Sequence, residues 1–305
     1  MAIFKTIGDQ ITALSDALGF ERRDLKKDLG MPWHFIKSSI MNTVFKWDYH
    51  EIERYTMFIG YPRSGHTLVG SLLDAHPDIV ISHELDALRY LRAGFGRERI
   101  FSLILEKDKV FTGKGRQWTG YDYEVENQWQ GKYRKLRVIG DKKGGGSSRH
   151  LQAKPGIIKK LKKEMQLPIR LIHIVRHPLD NIATHNRKWS VRPTLQEAID
   201  SYFRRVEANA KLQREVNPSE WIELTHEEFV DQPKESLKKL ILFLDVEPDE
   251  DYLDTAAKKV FKSTTNSRNK IDWPSKMVEQ VKERSQKYDF LRHYTFTLNP
   301  ENQSK

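Results

Sequence analysis

The 305-residue chain contains no cysteine, which excludes disulfide bonds, thiol catalysis and thiolate metal sites. Hydrophobic residues make up 38% and charged residues 31%, as in a globular protein with a sizeable core, and no apolar run is long enough to span a membrane. The formal net charge of +10 fits either a soluble basic surface or an anionic ligand; no nucleic-acid motif accompanies it, so nucleic acid is not an expected partner.

The first predicted element is an amphipathic helix near the N-terminus. Its apolar positions recur at helical spacing: Ile3, Ile7, Ile11, Leu14 and Leu18. The same stretch contains acidic residues, unlike a signal peptide, so we expect a surface helix and a cytoplasmic protein. We predict that residues 1–50 form a helical extension within a single domain spanning residues 1–305.

A strand at 55–60, a glycine-rich turn and a helix at about 67–75 are predicted next, from the stretch MFIGYPRSGHTLVGSLLDAHP. From Gly60 the spacing is that of a phosphate-binding loop, except that His66 replaces the lysine that reaches the β- and γ-phosphates of a nucleotide. The backbone N–H groups and the helix dipole of such a loop still attract an anion.

The side chains of this loop suit a smaller anion than a nucleoside triphosphate. Arg63 offers a planar guanidinium that matches a two-oxygen anion, and Gly65 permits close backbone approach. Ser64 and Thr67 add hydroxyl groups, and His66 is expected to contribute its backbone N–H. No evident strand ending in a magnesium-binding aspartate follows, so the loop predicts a 5′-phosphate group rather than a magnesium triphosphate.

A short strand at 79–82 leads into a helix predicted at 86–107, and Glu84 lies at their junction. Its carboxylate is either a general base or a first-turn charge that serves the helix dipole. The strand end faces the expected ligand edge of the sheet, which favours the base. The fallback bases, for which a structural or cofactor-contact role is the commoner one, are His83, His185 and His66.

Residues 111–135 are aromatic, polar and punctuated by glycine, with no clear period. We predict an insertion over the ligand edge of the sheet, on the acceptor side, since loops there carry specificity. Five aromatic residues either stack on an acceptor ring or form a small core of the insertion: Trp118, Tyr121, Tyr123, Trp129 and Tyr133.

The next strand, at 137–140, is followed by two lysines, Lys142 and Lys143, and then by glycines. A helix at 155–166 and a strand at 169–175 come next. Helices at 194–215 and 234–244 flank a last strand at 221–224. Short buried strands that alternate with helices predict an α/β fold, with a P-loop-like central parallel sheet flanked by helices on both faces.

A second anion site is indicated where the strand at 169–175 ends. Arg176 follows it, Pro178 favours the start of a helix, and Asp180 falls in the first turn. Thr184 lies on the same helix and can present its hydroxyl near the guanidinium. An arginine and a hydroxyl at the carboxyl end of a strand make an oxyanion site, although an ordinary helix start with a surface arginine is the alternative.

Together the two stretches resemble the sulfotransferase family, whose donor is 3′-phosphoadenosine 5′-phosphosulfate (PAPS). The family's motif for the 5′-phosphosulfate matches Arg63, Ser64, Gly65 and Thr67. His66 departs from the usual threonine. The family's motif for the 3′-phosphate matches Arg176, Pro178, Asp180 and Thr184. Here threonine replaces the usual serine.

The resemblance is especially clear to the tyrosylprotein sulfotransferases and many bacterial relatives. Some of these place a catalytic glutamate at the position of Glu84, and a lysine at the position of Lys142 meets charge on the bridging oxygen, as Arg63 does. Lys143 is a rival for that role. Weaker similarity extends over residues 55–290: His226 stands where the family's tyrosine often meets the adenine. Arg268 and Lys270 lie in a stretch like the basic loop that closes over the nucleotide.

This resemblance implies in-line transfer of the sulfuryl group of PAPS to an acceptor hydroxyl, with Glu84 as the base and no metal. It also explains the absent lysine, because PAPS has no γ-phosphate. A carbohydrate, a lipid, a small alcohol and a tyrosyl peptide all stay open as acceptors, and the oligomeric state is not indicated. The alternatives are a P-loop kinase-like phosphotransferase and a non-catalytic polyanion-binding protein.

Overall fold

The computed structural model describes residues 30–188, 193–260 and 266–298, so the predicted helix at residues 3–18 lies outside the described part. In chain order the elements are α1 (Met31–Phe45), β1 (Arg54–Gly60), α2 (His66–Leu73), β2 (Ile79–His83), α3 (Ala87–Arg92), α4 (Arg97–Gly113), β3 (Gln117–Trp118), β4 (Tyr121–Asp122), β5 (Val138–Lys142), α5 (Gly145–Ala153), α6 (Ile157–Met165), β6 (Ile169–Val175), α7 (Pro178–Lys188), α8 (Leu195–Glu215), β7 (Trp221–Thr225), α9 (His226–Asp231), α10 (Pro233–Phe243), α11 (Glu250–Lys258) and α12 (Ser275–Ser285). Short 3₁₀ turns lie at Pro218–Glu220 and Ser267–Lys270.

The central sheet has five parallel strands in the order β2-β5-β1-β6-β7. Every strand predicted for it is present, with small differences at the ends. Its interior strands are nearly continuous apolar runs, such as IRLIHIV in β6, because both faces of the sheet are covered. The predicted α/β fold with a parallel central sheet is confirmed.

Helices cover both faces of the sheet, as predicted. Successive residues of β1 point to opposite faces. Met57 and Ile59 share one buried cluster with residues of α3, α4 and α6. Phe58 belongs to another cluster, with residues of α2, α10 and α11. A third cluster joins α7, α8 and α12 beyond the end of β1.

The single helix predicted at 86–107 is wrong, because the chain breaks it into α3 and α4. Gly94 has a φ of 84°, in the left-handed region that ends a right-handed helix. The N–H of Gly94 donates to the carbonyl of Leu91, and that of Phe95 donates to the carbonyl of Tyr90. These two bonds form a Schellman cap, after which the chain starts α4 in a new direction.

Residues 111–135 divide into an anchored part and an exposed hairpin. Arg116 is buried and forms ion pairs with Asp74, at the end of α2, and with Asp108, on α4. Tyr123 packs in the main core, whereas the short hairpin of β3 and β4 presents Trp118 and Tyr121 to solvent. At the carboxyl edge of the sheet, Phe111 and the hairpin residue Trp118 both contact His83, whereas Arg134 pairs with Asp78 at the opposite edge. Tyr133 packs partly buried against the core.

The described part of the N-terminal extension contains α1, which packs on α4. Lys37 forms an ion pair with Glu106, and the guanidinium of Arg99 lies 4.1 Å from the ring centre of Phe35. Within residues 30–188, 193–260 and 266–298, no helix combines the length and the apolar character that crossing a membrane requires.

Candidate active site

Each of the five parallel strands ends at a predicted site residue. The glycine loop follows β1, Glu84 follows β2, and Lys142 is the last residue of β5. Arg176 follows β6, and His226 follows β7. Because all five strands are parallel, their carboxyl ends meet at one edge, which is where open α/β sheets bind ligands.

The glycine loop turns into α2 through Gly65, which has a φ of 91°. A Cβ atom at this position would lie 2.5 Å from Nδ1 of His226, so the loop and the start of α9 are in close contact only because Gly65 has no side chain. The first N–H groups of α2 have no partners within the helix and therefore face the loop. Arg63 precedes them with a φ of 70°, a strained conformation for a residue other than glycine.

The ring of His66 lies beneath the loop, not over the anion position. Its Nε2 is 3.2 Å from the carbonyl oxygen of Ile59, and its Nδ1 is 3.0 Å from Oγ of Ser64. Since a carbonyl only accepts, the ring proton belongs on Nε2. Burial lowers the pKa of His66 to about 3, so the ring is neutral. His66 thus supports the loop from the inner side, whereas the lysine of a nucleotide-binding loop would point outward to the phosphates.

The two hydroxyl groups of the loop have different surroundings. The Ser64 side chain is fully buried, and its Oγ also lies 2.8 Å from the carbonyl oxygen of Tyr61. The sequence-based expectation that this hydroxyl faces an anion is therefore not met in this conformation. Oγ1 of Thr67 instead accepts a hydrogen bond of 3.0 Å from Nζ of Lys142, which brings it to the centre of the site.

Glu84 is held by both candidate lysines. Nζ of Lys142 lies 2.8 Å from Oε1, and Nζ of Lys143 lies 2.6 Å from Oε2. The backbone of Glu84 has a φ of 60°, which turns its side chain out of the strand's alternation. The alternative role as a first-turn carboxylate is wrong, because α3 begins only at Ala87, with Asp86 as its N-cap.

Burial and charge act in opposite directions on this cluster. Burial works to raise the pKa of Glu84, but Lys142 and Lys143 outweigh it and hold the pKa well below its usual range. Burial lowers the pKa of Lys142, which is only partly offset by Glu84. Lys142 is 2% exposed as a side chain, so it is a desolvated cation that requires an anion beside it.

Arg176 lies at the second predicted anion site, together with α7. Asp180 falls in the first turn of α7, as predicted, and its Oδ1 accepts a hydrogen bond of 2.7 Å from the backbone N–H of Arg268. The Arg268 side chain is also near Asp180, with 3.5 Å between Nη1 and Oδ2. Oγ1 of Thr184 donates to the carbonyl oxygen of Asp180 at 2.8 Å. The late basic turn thus closes against α7.

Arg176 joins this second site to the glycine loop. Its Nη1 donates to the carbonyl oxygen of Arg63 at 3.1 Å, and Nδ2 of Asn181 donates to that of Pro62 at 3.0 Å. Burial lowers the pKa of Arg176 in spite of the nearby carboxylates of Asp180 and Glu227. Arg176 is therefore a largely buried cation in direct contact with the glycine loop.

The remaining predicted residues lie at different distances from this centre. His226 contacts the loop, and burial, helped by the charge of Arg176, lowers its pKa to about 4. His185 is buried beside Arg205 and Arg63, and its pKa is lowered to about 4, mainly by burial. Lys270 belongs to the basic turn but is exposed, so the structure does not bring it to the site in this conformation.

Sequence reasoning missed Asp141, which positions the turn that carries Glu84. Its carboxylate accepts hydrogen bonds of 2.8–3.0 Å from the backbone N–H groups of Leu85, Asp86 and Ala87. It also accepts one of 2.9 Å from Oγ of Ser82. The available signal was an acidic residue immediately before the two lysines at a strand end. Among the described residues, no group of histidine and carboxylate side chains is arranged to hold a metal ion.

A sequence profile described as the sulfotransferase family matches residues 56–251, which include all the strand ends of the site. None of the curated protein sequences shows a significant match. The sulfotransferase domain of the Synechococcus PCC 7002 olefin synthase is a similar solved structure, with 18% identity, coverage of 83% of this chain and 87% of that chain, and a TM-score of 0.46. The sulfotransferase domain from the curacin biosynthetic pathway is another, with 15% identity, coverage of 83% of this chain and 96% of that chain, and a TM-score of 0.48. A third is mouse sulfotransferase SULT7A1 complexed with PAP, with 14% identity, coverage of 78% of this chain and 74% of that chain, and a TM-score of 0.37.

Proposed function

The chain belongs to the sulfotransferase family, and from this premise we propose that it transfers the sulfuryl group of PAPS to the hydroxyl group of an acceptor. The observation that carries the proposal is a pair of linked, positively charged candidate sites at one sheet edge. The glycine loop with Lys142 forms one site, Arg176 with α7 forms the other, and a hydrogen bond from Arg176 to the loop joins them.

The donor's two anionic ends fit these sites. At the first, the N–H groups of the glycine loop, Arg63 and Lys142 would bind the 5′-phosphosulfate. At the second, the guanidinium of Arg176 would bind the 3′-phosphate, with Arg268 nearby on the basic turn. Thr184 would join by rotating its hydroxyl away from the carbonyl of Asp180. His226, in contact with the loop, would lie against the adenosine part of the donor.

The transfer step requires one bond exchange and one proton acceptor. The bond between sulfur and the bridging oxygen of the donor breaks while sulfur bonds to the acceptor oxygen. Arg63 and Lys142 stabilise the negative charge that builds on the departing phosphate. Glu84 takes the proton of the acceptor hydroxyl. These cations supply the charge stabilisation, so the proposed step needs no metal ion.

Donor binding would also adjust the basicity of Glu84. While Lys142 and Lys143 both contact the carboxylate, its low pKa makes it a weak base. An anionic donor at the glycine loop competes for the same ammonium groups, which weakens their hold on Glu84 and raises its pKa. The base would therefore become effective when the donor is in place.

A transfer assay tests the proposal. The protein is incubated with sulfur-labelled PAPS and EDTA, with 4-nitrophenol, a monosaccharide, a fatty alcohol and a tyrosyl peptide as acceptors, and in parallel with γ-labelled ATP and magnesium. We expect transfer from PAPS that EDTA does not reduce, and no phosphate transfer from ATP. Phosphate transfer that requires magnesium would support the kinase-like alternative, and binding without any transfer would support a non-catalytic role.

A further inference from the structure

His83 lies directly beside the proposed reacting groups. It is the last residue of β2 and is paired across the sheet with Lys142, so the two side chains project from the same face. Its ring stacks on Phe111, with centres 4.2 Å apart and planes at 11°, and Trp118 covers it edge-on at 4.8 Å. From the sequence, His83 was expected only as a fallback base.

The imidazole of His83 has no hydrogen bond to the described residues. Both ring nitrogens are buried and neither has a partner there. Other buried histidines differ: His76, for example, has Nε2 3.2 Å from the carbonyl oxygen of Glu247, and its Nδ1 accepts from the N–H of Asp78 at 3.1 Å. An imidazole without partners in a protein interior is costly, because at least one nitrogen carries a proton that would be hydrogen-bonded in water.

The ring is neutral and therefore suited to hydrogen bonding, not to proton abstraction. Burial and the positive charge of Lys142 lower the pKa of His83 to about 2, although Glu84 opposes this. The positive charges of Lys107 and Arg116 also lower the pKa of His83. A neutral imidazole offers one donor and one acceptor, which is what an acceptor hydroxyl beside Glu84 requires.

The covering hairpin is short, and besides the ring contact of Trp118 it is held by a partly exposed ion pair between Asp122 and Lys259, a kind of pair that contributes little to stability. Strands β3 and β4 have two residues each, and Trp118 is 45% exposed. Thr119 and Gly120 form the turn between them with positive φ angles of 51° and 82°. A two-stranded hairpin has little stability of its own. The tip can therefore move aside at low cost and uncover His83.

We propose that His83 is the hydrogen-bond partner of the acceptor hydroxyl and that the acceptor reaches it by displacing the Trp118 hairpin. The inference rests on the proposed function, because it assigns a second contact to the acceptor of that reaction. Phe111 stays stacked on His83 when the hairpin moves and forms an aromatic wall, so the position fits a hydroxyl attached to an apolar or planar group. His83 orients the hydroxyl, and Glu84 takes its proton.

The test uses His83→Phe, which keeps the ring and removes both nitrogens, and His83→Gln, which restores a donor and an acceptor. Single-turnover rates are measured for sulfuryl transfer from PAPS to water and to 4-nitrophenol, the monosaccharide, the fatty alcohol and the tyrosyl peptide. The affinity for 3′-phosphoadenosine 5′-phosphate (PAP) and Tm are measured as well. We expect His83→Phe to lower kcat/KM for the acceptor by about tenfold. PAP affinity should not change, and Tm should stay or rise, because an unpaired polar group is lost. His83→Gln should recover part of the rate.

His76→Phe is the matched control, since it removes an imidazole whose nitrogens are bonded and lie away from the site. It should lower Tm and leave the transfer kinetics unchanged. If the unsubstituted protein transfers sulfuryl groups and His83→Phe does so equally well, the role of His83 is disproved while the proposed function stands. A lower Tm with normal kinetics in His83→Phe also disproves it. If the unsubstituted protein transfers to no acceptor and not to water, the proposed function itself fails.

Discussion

The donor side and the acceptor side of the candidate site differ in how completely their polar groups are paired. On the donor side, Arg176 and Asn181 bind the glycine loop, and the turn at Arg268 binds Asp180. On the acceptor side, both nitrogens of His83 are unpaired among the described residues, and the covering Trp118 stands on an exposed hairpin. The first region is assembled before any ligand arrives, and the second is incomplete.

This difference suggests where the binding energy of each substrate is used. A preorganised donor site loses little freedom when it binds, so its contacts contribute mostly to affinity. On the acceptor side, the hairpin must move before the acceptor binds, and His83 then forms hydrogen bonds that it lacks in this structure. The consequence is that substitutions on the two sides should change different kinetic constants, and the following predictions test that separation.

The largest effect is expected from Lys142→Met. This substitution removes the buried cation that binds both Thr67 and Glu84. We expect turnover to fall by about 100- to 1000-fold, as for the loss of a donor to a developing oxyanion. Lys143→Met is the matched comparison and should cost less, because Lys143 contacts only one oxygen of Glu84. Single-turnover rates of the two variants measure this difference. A larger loss in Lys143→Met would assign the stabilisation of the departing phosphate to Lys143.

Glu84→Gln should reduce turnover by roughly 100-fold or more, because the amide keeps the shape but accepts no proton. PAP affinity by calorimetry should barely change. The loss should be smaller for acidic acceptors such as nitrophenols, which release the proton more easily. A near-normal rate with every acceptor at neutral pH would remove Glu84 from the mechanism.

Arg176→Ala should act on the donor side alone. The lost contact is present before and during the reaction, so KM for PAPS should rise by about 10- to 100-fold while kcat changes little. Initial rates over a range of PAPS concentrations give both constants. A fall in kcat with unchanged KM for PAPS would contradict the assignment of Arg176 to ground-state donor binding.

Trp118→Ala should act on the acceptor side alone. It removes the cover that the acceptor must displace, so we expect KM for the acceptor to fall by about twofold to tenfold, with PAP affinity unchanged. Kinetics at saturating PAPS measure this. If the substitution weakened PAP binding instead, the division into two sides would be incorrect.

No titration is expected from three of the site histidines between pH 5 and 8. Burial is the main cause that holds the pKa of His66 at about 3, that of His83 at about 2 and that of His185 at about 4. Each lowered pKa means that the group is neutral above it, so the imidazole signals should stay constant by NMR over this range. A midpoint near pH 6.5 for any of them would make that residue a candidate base.

The positions of the site residues could be predicted from sequence, and their mutual contacts could not. Apolar runs of strand length located the strands, and a parallel sheet places all carboxyl ends at one edge, so Glu84, Lys142 and Arg176 were correctly expected there. The pairing of Glu84 with two lysines depends on its left-handed backbone, which no periodic pattern indicates. The direction of the His66 ring likewise depends on packing beneath the loop.

The break between α3 and α4 illustrates the same limit. Hydrophobic spacing continues across residues 86–107, and Gly94 alone was compatible with a helix interior at a small cost. The Schellman cap at Gly94 ends the helix because the chain must turn for α4 to pack on the sheet. The hairpin at 117–122 was missed because its strands are too short to show alternation.

Calorimetric titration tests the central claim, that two linked sites bind the two anionic ends of one donor. The three ligands are PAP, adenosine 5′-monophosphate and ATP with magnesium, and of these the monophosphate is the one that lacks the 3′-phosphate of PAP. The titrations of PAP and of the monophosphate are each run with and without EDTA. We predict micromolar or tighter binding of PAP that EDTA does not affect, at least about tenfold weaker binding of the monophosphate, and far weaker binding of ATP. Equal binding of PAP and the monophosphate, or a requirement for magnesium, would contradict the account.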